Sequence, residues 1–462
     1  MNAFNYKIVY FLGIGGIGMS ALARYFNHYK LRICGYDKTE TALTKELVKE
    51  GIAIHYKEDV ENLILLLSSY KKEEVLIVLT PAVPKDHAEL IYLQTENYEI
   101  QKRSQVLGTI TKQFKTIAVA GTHGKTTTSS LVAHVLKSAG LNCFAFLGGI
   151  TKNYNTNLLL GDAGDKNALV VVEADEYDRS FLTLHPDIAV ITSADADHLD
   201  IYGDEKFVHE SYTLFANQVK DEGVLIVNKN VDNVLSLTRK RLSYSVSLEA
   251  DYHAENVRVD NATFFYDVKA GNEDMKGLQL GIPGKHNVEN SVAAIAIAKQ
   301  LNIDSGTISE ALRSFKGVKR RFDYRVKTNS VVYIDDYAHH PEELKATISA
   351  AKSLYPGKKI TGIFQPHLFS RTRDFANEFA ESLDMLDETI LLEIYPAREK
   401  PIEGVNSQML LNKMKSANKH LVQKDKLIEF LKSQQPEVLL TMGAGDIDTQ
   451  IEPIEQLLKS RS

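Results

Sequence analysis

Apolar residues along this chain fall into short unbroken runs. Each run is closed by glycine or polar residues and followed by a stretch with helical spacing. Unbroken runs of strand length, without alternation, mark strands covered on both faces of a sheet. Residues 7–12, 31–35 and 75–79 predict strands of a first block, and 116–120, 168–172, 188–192 and 223–227 those of a second. A third block has runs at 331–334, 359–364, 389–392 and 438–442. Between about 250 and 280 the runs shorten and alternate, predicting a small antiparallel patch. Strand and helix in repeated alternation mean α/β architecture with doubly wound sheets.

The 462 residues are too many for one ordinary core, so two or three domains are expected. The charged cluster Lys102-Arg103-Ser104 looks like a first boundary, and the basic stretch 317–323 like a hinge. The expected domains are 1–108, 109–318 and 319–462. Composition adds exclusions. A net charge of −6 argues against non-specific nucleic-acid binding. Cys34 and Cys143 are the only cysteines, which rules out a disulfide framework and zinc-ligand spacing. No apolar run approaches membrane-spanning length, and the N-terminus lacks a signal-peptide layout, so a cytoplasmic enzyme is expected.

Candidate chemistry sits where the runs end. Residues 121–128 read G-T-H-G-K-T-T-T between a predicted strand and helix. Gly121, Thr122, His123, Gly124 and Thr127 surround Lys125 and Thr126 in what reads as a phosphate cradle: backbone N–H groups meet the anion, Lys125 adds charge and Thr126 can hold Mg²⁺. Val119 stands where the common pattern has glycine. In the first block Gly13, Gly15 and Gly18 make G-x-G-x-x-G with Asp37 after the next strand, a dinucleotide-binding pattern that leaves NAD open. Thr80 and Ala82 follow the strand 75–79, at the edge where open α/β sheets hold ligands. Four acids in residues 173–178 follow an apolar strand, so Glu173 is a Mg²⁺ candidate and His198 a second. His286 and Asn287 stand at a predicted helix start, with capping as the simpler role.

Taken together these stretches resemble the Mur ligase family, ATP-dependent enzymes that build the peptide stem of bacterial peptidoglycan. The carriers are G-x-G-G-x-G-M-S (13–20), G-T-H-G-K-T-T-T (121–128), E-A-D-E (173–176), D-H-x-D-x-Y-G (197–203) and G-x-H-N-x-x-N (284–290). R-R-F-D (320–323), D-D-Y-x-H-H-P (335–341) and F-Q-P-H (364–367) complete the set, in family order. The resemblance implies an N-terminal Rossmann-like UDP-binding domain, a central P-loop ATP domain with the small antiparallel patch, and a C-terminal Rossmann-like domain for the amino acid. It turns Gly13, Gly15, Gly16, Gly18, Met19, Ser20, Asp37, Thr80 and Ala82 toward a UDP-sugar. It gives Lys125, Glu173 and His198 to catalysis and Thr126, Glu173 and His198 to metal. Asn287, Arg321 and Asp336 then contact ATP, and His339, His340 and Arg371 the amino acid. The implied substrates are UDP-N-acetylmuramate and L-alanine, handled with ATP and Mg²⁺ by a monomer or weak homodimer.

Three departures stand out. Ser193 replaces a frequent asparagine, Leu368-Phe369 an Arg-Tyr pair, and no lysine lies between Phe207 and Val219, where other branches carry a modified one. The rival readings are a family member with another acceptor, an NAD-dependent oxidoreductase, and a non-catalytic UDP-sugar-binding protein.

Overall fold

A computed structural model describes residues 5–195, 202–271, 273–397 and 399–461. The first sheet has five parallel strands: β1 (Ile8–Leu12), β2 (Arg32–Tyr36), β3 (Ala53–His55), β4 (Val75–Leu79) and β5 (Ile100–Lys102), in the order β3-β2-β1-β4-β5. Both faces of β1 are covered, which is why it reads as an unbroken apolar run. Val9 and Phe11 belong to the cluster holding Leu22 and Phe26 of α1 (Ile17–His28), while Ile8, Tyr10 and Leu12 face Leu63, Leu67 and Leu93. Strand order reverses between β1 and β4, so a crevice opens where Leu12 leads to Gly13 and Leu79 to Thr80.

Residues 102–104 are not a linker. They join β5 to α2 (Arg103–Thr111), and the expected division at residue 108 falls inside that helix. The second sheet contains β6 (Lys115–Ala120), β7 (Cys143–Thr151), β8 (Thr156–Leu159), β9 (Leu169–Glu173), β10 (Ile188–Ile191), β11 (Val224–Asn228) and β12 (Arg241–Ser245), ordered β12-β11-β10-β6-β9-β7-β8. Helix α3 (Lys125–Ser138) follows β6. Strands β13 (Tyr252–Asp260), β14 (Thr263–Ala270) and β15 (Glu273–Leu280) bond in sequence order and lead to α4 (Lys285–Gln300).

The third sheet is ordered β16-β17-β21-β18-β19-β20, from β16 (Asp323–Lys327), β17 (Val332–Asp336), β18 (Ile360–Phe364), β19 (Glu388–Leu391), β20 (Lys419–Leu421) and β21 (Val438–Met442). Its strands are parallel except the edge strand β16. Helix α5 (Pro341–Leu354) follows β17, and α6 (Phe369–Asp374) follows β18. The chain divides into two compact units. One comprises residues 1–253, 269–274 and 290–311, the other 254–268, 275–289 and 312–462. The first two sheets lie in the first unit and the third sheet in the second; β13–β15 and α4 cross the division. Among the described residues no helix is long and apolar enough to cross a membrane.

Candidate active site

Strand β6 stops at Gly121 because the backbone there takes φ +136°, which side chains disfavour. A Cβ at Gly121 would also fall 2.0 Å from Thr192 Oγ1. Gly124, at φ +82°, turns the chain into α3, whose first turn holds no acid. The helix's positive end is therefore open to an anion. The end of β10 pins the loop: Thr192 Oγ1 donates to Ala120 O (3.1 Å) and to His123 O, and Thr122 Oγ1 donates to Asp195 O (2.8 Å). Ser193, the departure from asparagine, accepts the His123 N–H on its hydroxyl at 2.7 Å.

Lys125 Nζ donates to Gly121 O (2.6 Å), Thr122 O (3.2 Å) and Glu176 Oε1 (2.8 Å). Burial alone would push the amine down, but Glu176, Glu173 and Asp175 outweigh it and hold the pKa above its ordinary value. Burial pushes Glu176 up to about 7 even with Lys125 beside it. Thr126 Oγ1 donates to Glu173 Oε1 at 3.0 Å, so the two metal candidates meet across neighbouring strand ends. Two hard oxygen donors suit Mg²⁺, which keeps waters and takes phosphate oxygens rather than a full protein cage. Accordingly, no group of three or more His, Cys, Asp or Glu among the described residues forms a metal site. His198 lies outside the described residues. Thr127 is buried behind the loop, and Asn290 of α4 comes up to Gly124, whose missing Cβ would lie 2.6 Å from Asn290 Oδ1.

At the first sheet's crevice, Gly13 (φ +84°) must be glycine, since a Cβ would strike Thr80 Cγ2 at 2.3 Å. A Cβ at Gly16 would make only ordinary contacts, 3.7 Å from Gly13 O and from Met19 Cγ, whereas Gly18 lies under the Arg103 guanidinium. Asp37 Oδ2 accepts the Gly15 N–H at 2.7 Å and Oδ1 the Thr39 N–H at 3.1 Å, so this acid braces the turn. Ala82 is exposed and Thr80 half-buried at the rim. Met19 and Ser20 are buried: Met19 lies beside Gly16, whose Cβ would fall 3.7 Å from Met19 Cγ, and Ser20 Oγ donates to Ile17 O at 2.9 Å. Arg103 Nη2 bonds Asp175 Oδ2 at 2.9 Å, joining this turn to the acidic segment. That link was not readable from sequence, because it depends on tertiary contact.

In the second unit, Asp336 has both oxygens engaged, by Phe322 N and Ala338 N at 2.8 Å each. Burial raises its pKa to about 6. Arg321 reaches Glu343 at 3.5 Å and lies over the Tyr337 ring. Asn287 is buried and donates to Pro283 O. Beside it His286 is half-buried, its pKa lowered to about 4 by desolvation and then by Arg321. His339 Nδ1 lies 3.2 Å from Glu343, and its ring meets those of Tyr337 and His367. His367 in turn stacks on Tyr395. Three strand ends thus supply one aromatic group, of which sequence reading singled out only His339 as a site residue. His340 is buried against Phe375, and Arg371 is 7% exposed one turn beyond Leu368.

Comparison with known proteins fits this geometry. The Mur ligase family catalytic domain matches residues 8–115, the Mur ligase middle domain 119–298, and the Mur ligase glutamate ligase domain 320–445. The chain is 48% identical to the UDP-N-acetylmuramate–L-alanine ligase of Flavobacterium johnsoniae over 99% of both chains. Identity to the enzyme so named from Cytophaga hutchinsonii is also 48%, over 100% of this chain and 99% of that one. A crystal structure of UDP-N-acetylmuramate-alanine ligase from Thermotoga maritima superposes with a TM-score of 0.83 at 29% identity, covering 98% of this chain and 99% of that one. With the phosphate loop, the glycine turn and all three sheets accounted for from end to end, the chain belongs to the Mur ligase family.

Proposed function

We propose that the chain joins L-alanine to the lactyl carboxylate of UDP-N-acetylmuramate, converting ATP to ADP and phosphate, as a step of peptidoglycan biosynthesis. The observation that carries this is the junction of Lys125, Thr126 and Glu173 at adjoining strand ends, in a chain matching ligases of that name over their whole length. A carboxylate resists an amine, because it carries negative charge and would have to expel oxide. Moving the γ-phosphoryl of ATP onto the lactyl oxygen gives an acyl phosphate with a good leaving group. The α-amino group of alanine then attacks, and the tetrahedral intermediate expels phosphate to leave an amide. Lys125 leaves Glu176 to meet the β- and γ-phosphates, whose charge shifts during transfer. Thr126 and Glu173 would hold Mg²⁺, which supplies charge neutralisation on the phosphate oxygens. His198 is the second candidate ligand.

The turn of Gly13, Gly15 and Gly16 offers its backbone to the UDP pyrophosphate. His339 and Arg371 are proposed to take the amino acid, and Asn287, Arg321 and Asp336 to serve ATP. Both nucleotides support a cytoplasmic reaction. The test is ADP release requiring both UDP-N-acetylmuramate and an amino acid, run with alanine, glycine and serine at constant NADH absorbance. Alanine should give the highest kcat/KM. ADP release without the UDP-sugar, or hydride transfer to NAD, would discard the proposal.

The glycine turn has its own expected result. In Gly15→Val the side chain would crowd Asp37 Oδ2 and Thr44 Cγ2, both under 3 Å from the position of a Cβ, and loosen the brace on the turn. Loss of a hydrogen bond to a charged group should weaken UDP-N-acetylmuramate about tenfold or more, with ATP binding retained. Calorimetry showing ATP lost and the UDP-sugar kept would reverse this division of labour.

A further inference from the structure

Strands β7 and β8 form an antiparallel hairpin whose register shifts between Phe146 and Thr151. The parallel pairing of β7 with β9 ends at Phe146 and Val172, so the backbone beyond it leaves that ladder. One N–H there, that of Gly148, donates to Glu173 Oε2 at 3.0 Å. The other oxygen of Glu173 receives the Thr126 hydroxyl. The carboxylate is therefore held from two sides, and one of them is a strand that carries no candidate ligand of its own.

Residue 148 has room for hydrogen only. A Cβ would lie 2.2 Å from Glu173 Oε2, 2.6 Å from Oε1 and 2.6 Å from Cδ. Gly148 does not occupy the left-handed region, so alanine can adopt its backbone without strain. What an added methyl displaces is the end of a flexible side chain, not backbone. The fold tolerates that shift, but the position of the carboxylate does not.

The hairpin is anchored at its other strand. Asn157 is fully buried, and its Nδ2 donates to Ile17 O (2.6 Å) and Ser20 Oγ (2.9 Å) in α1. Its Oδ1 accepts from Arg24 Nη1 at 2.5 Å, and Arg24 is itself held by Glu50. Tyr25 of α1 packs against the rings of Phe144 and Phe146 on β7. The strand presenting the Gly148 N–H is thus fixed against the helix that follows the glycine turn.

We propose that Gly148 is a positioning residue whose backbone N–H aims the Glu173 carboxylate at the cation site beside Thr126. This rests on the reading of Glu173 as a Mg²⁺ ligand. It predicts that Gly148→Ala folds with a near-normal Tm yet binds the divalent ion poorly. The probe is Mn²⁺ followed by EPR on the full-length protein with ADP present, alongside calorimetry of ADP without metal. Mn²⁺ binding should weaken about tenfold or more, as for other lost supports of a metal ligand, while metal-free ADP binding stays unchanged. In Gly148→Ala/Glu173→Asp the shorter acid retracts from the methyl, so the double variant should bind Mn²⁺ no worse than Glu173→Asp alone. Unchanged Mn²⁺ binding in Gly148→Ala, with Glu173→Gln weakened, overturns the role of Gly148 and leaves the metal ligand standing. Fully additive losses in the double variant overturn it too. Unchanged binding in Glu173→Gln removes the ligand reading itself, and this proposal with it.

Discussion

Lys125→Ala should lower ligation by on the order of a thousandfold or more, since a clamp on the transferring phosphoryl group is lost. ADP production is the measurement, and near-normal output would remove the phosphate-loop assignment. The fold should survive, because the lysine stands at the first position of α3 and its partners are two carbonyls and Glu176. Stability should nonetheless change with pH. Burial places Glu176 at about 7, above the ordinary 4.5, so its contribution to stability is fully present below pH 4.5 and lost as pH rises through 7. Removing Lys125 removes the neighbour that draws this pKa down, and a charged Glu176 is then buried without its cation. The Tm deficit of Lys125→Ala should therefore be larger at pH 8 than at pH 6. Adding Glu176→Gln should remove most of that pH dependence, and a deficit independent of pH would mean that Glu176 is charged in neither protein.

The strands carrying the chemistry were legible because covered parallel strands are short apolar runs that end in ligand-facing turns. Runs such as 75–79 and 438–442 correspond to β4 and β21 residue for residue. The hairpin of β7 and β8 was not legible. Gly148 and Gly149 interrupt its run, and polar residues 152–157 follow, so nothing in local pattern marks a strand that bonds Glu173. Motif reading placed Met19 and Ser20 with the UDP-sugar residues, but it could not show that both are buried or that Ser20 accepts from Asn157 of β8. The charged cluster at 102–104 has a structural use that charge alone does not show, since Arg103 is drawn over Gly18 and onto Asp175. The pairing of Lys125 with Glu176 and the ring group of His339, His367 and Tyr395 join residues far apart in sequence. Such groupings exist only once strand order is known.

Arg371→Ala should separate the two half-reactions. An amino acid must present its amine to the acyl phosphate, so its carboxylate needs another holder. Arg371 suits that task by its paired donors. It sits in α6, a helix that starts after Leu368 at φ +72° and is tied by Ser370 N–H to Glu399 Oε2 at 3.0 Å. Four residues before it, His367 meets His339, whose position is fixed by Glu343. The proposed clamp thus stands on a short, braced helix next to a ring group. Losing a buried charge-assisted pair costs about 3 kcal/mol, so the KM for L-alanine should rise roughly a hundredfold. Acyl-phosphate formation needs ATP, Mg²⁺ and the UDP-sugar but no amino acid, so positional isotope exchange within ATP should persist in the variant. Arg371→Lys keeps the charge without the fork and should fall between the two. If exchange disappears together with ligation, Arg371 serves phosphoryl transfer instead, and the amino-acid clamp must be sought elsewhere in the second unit.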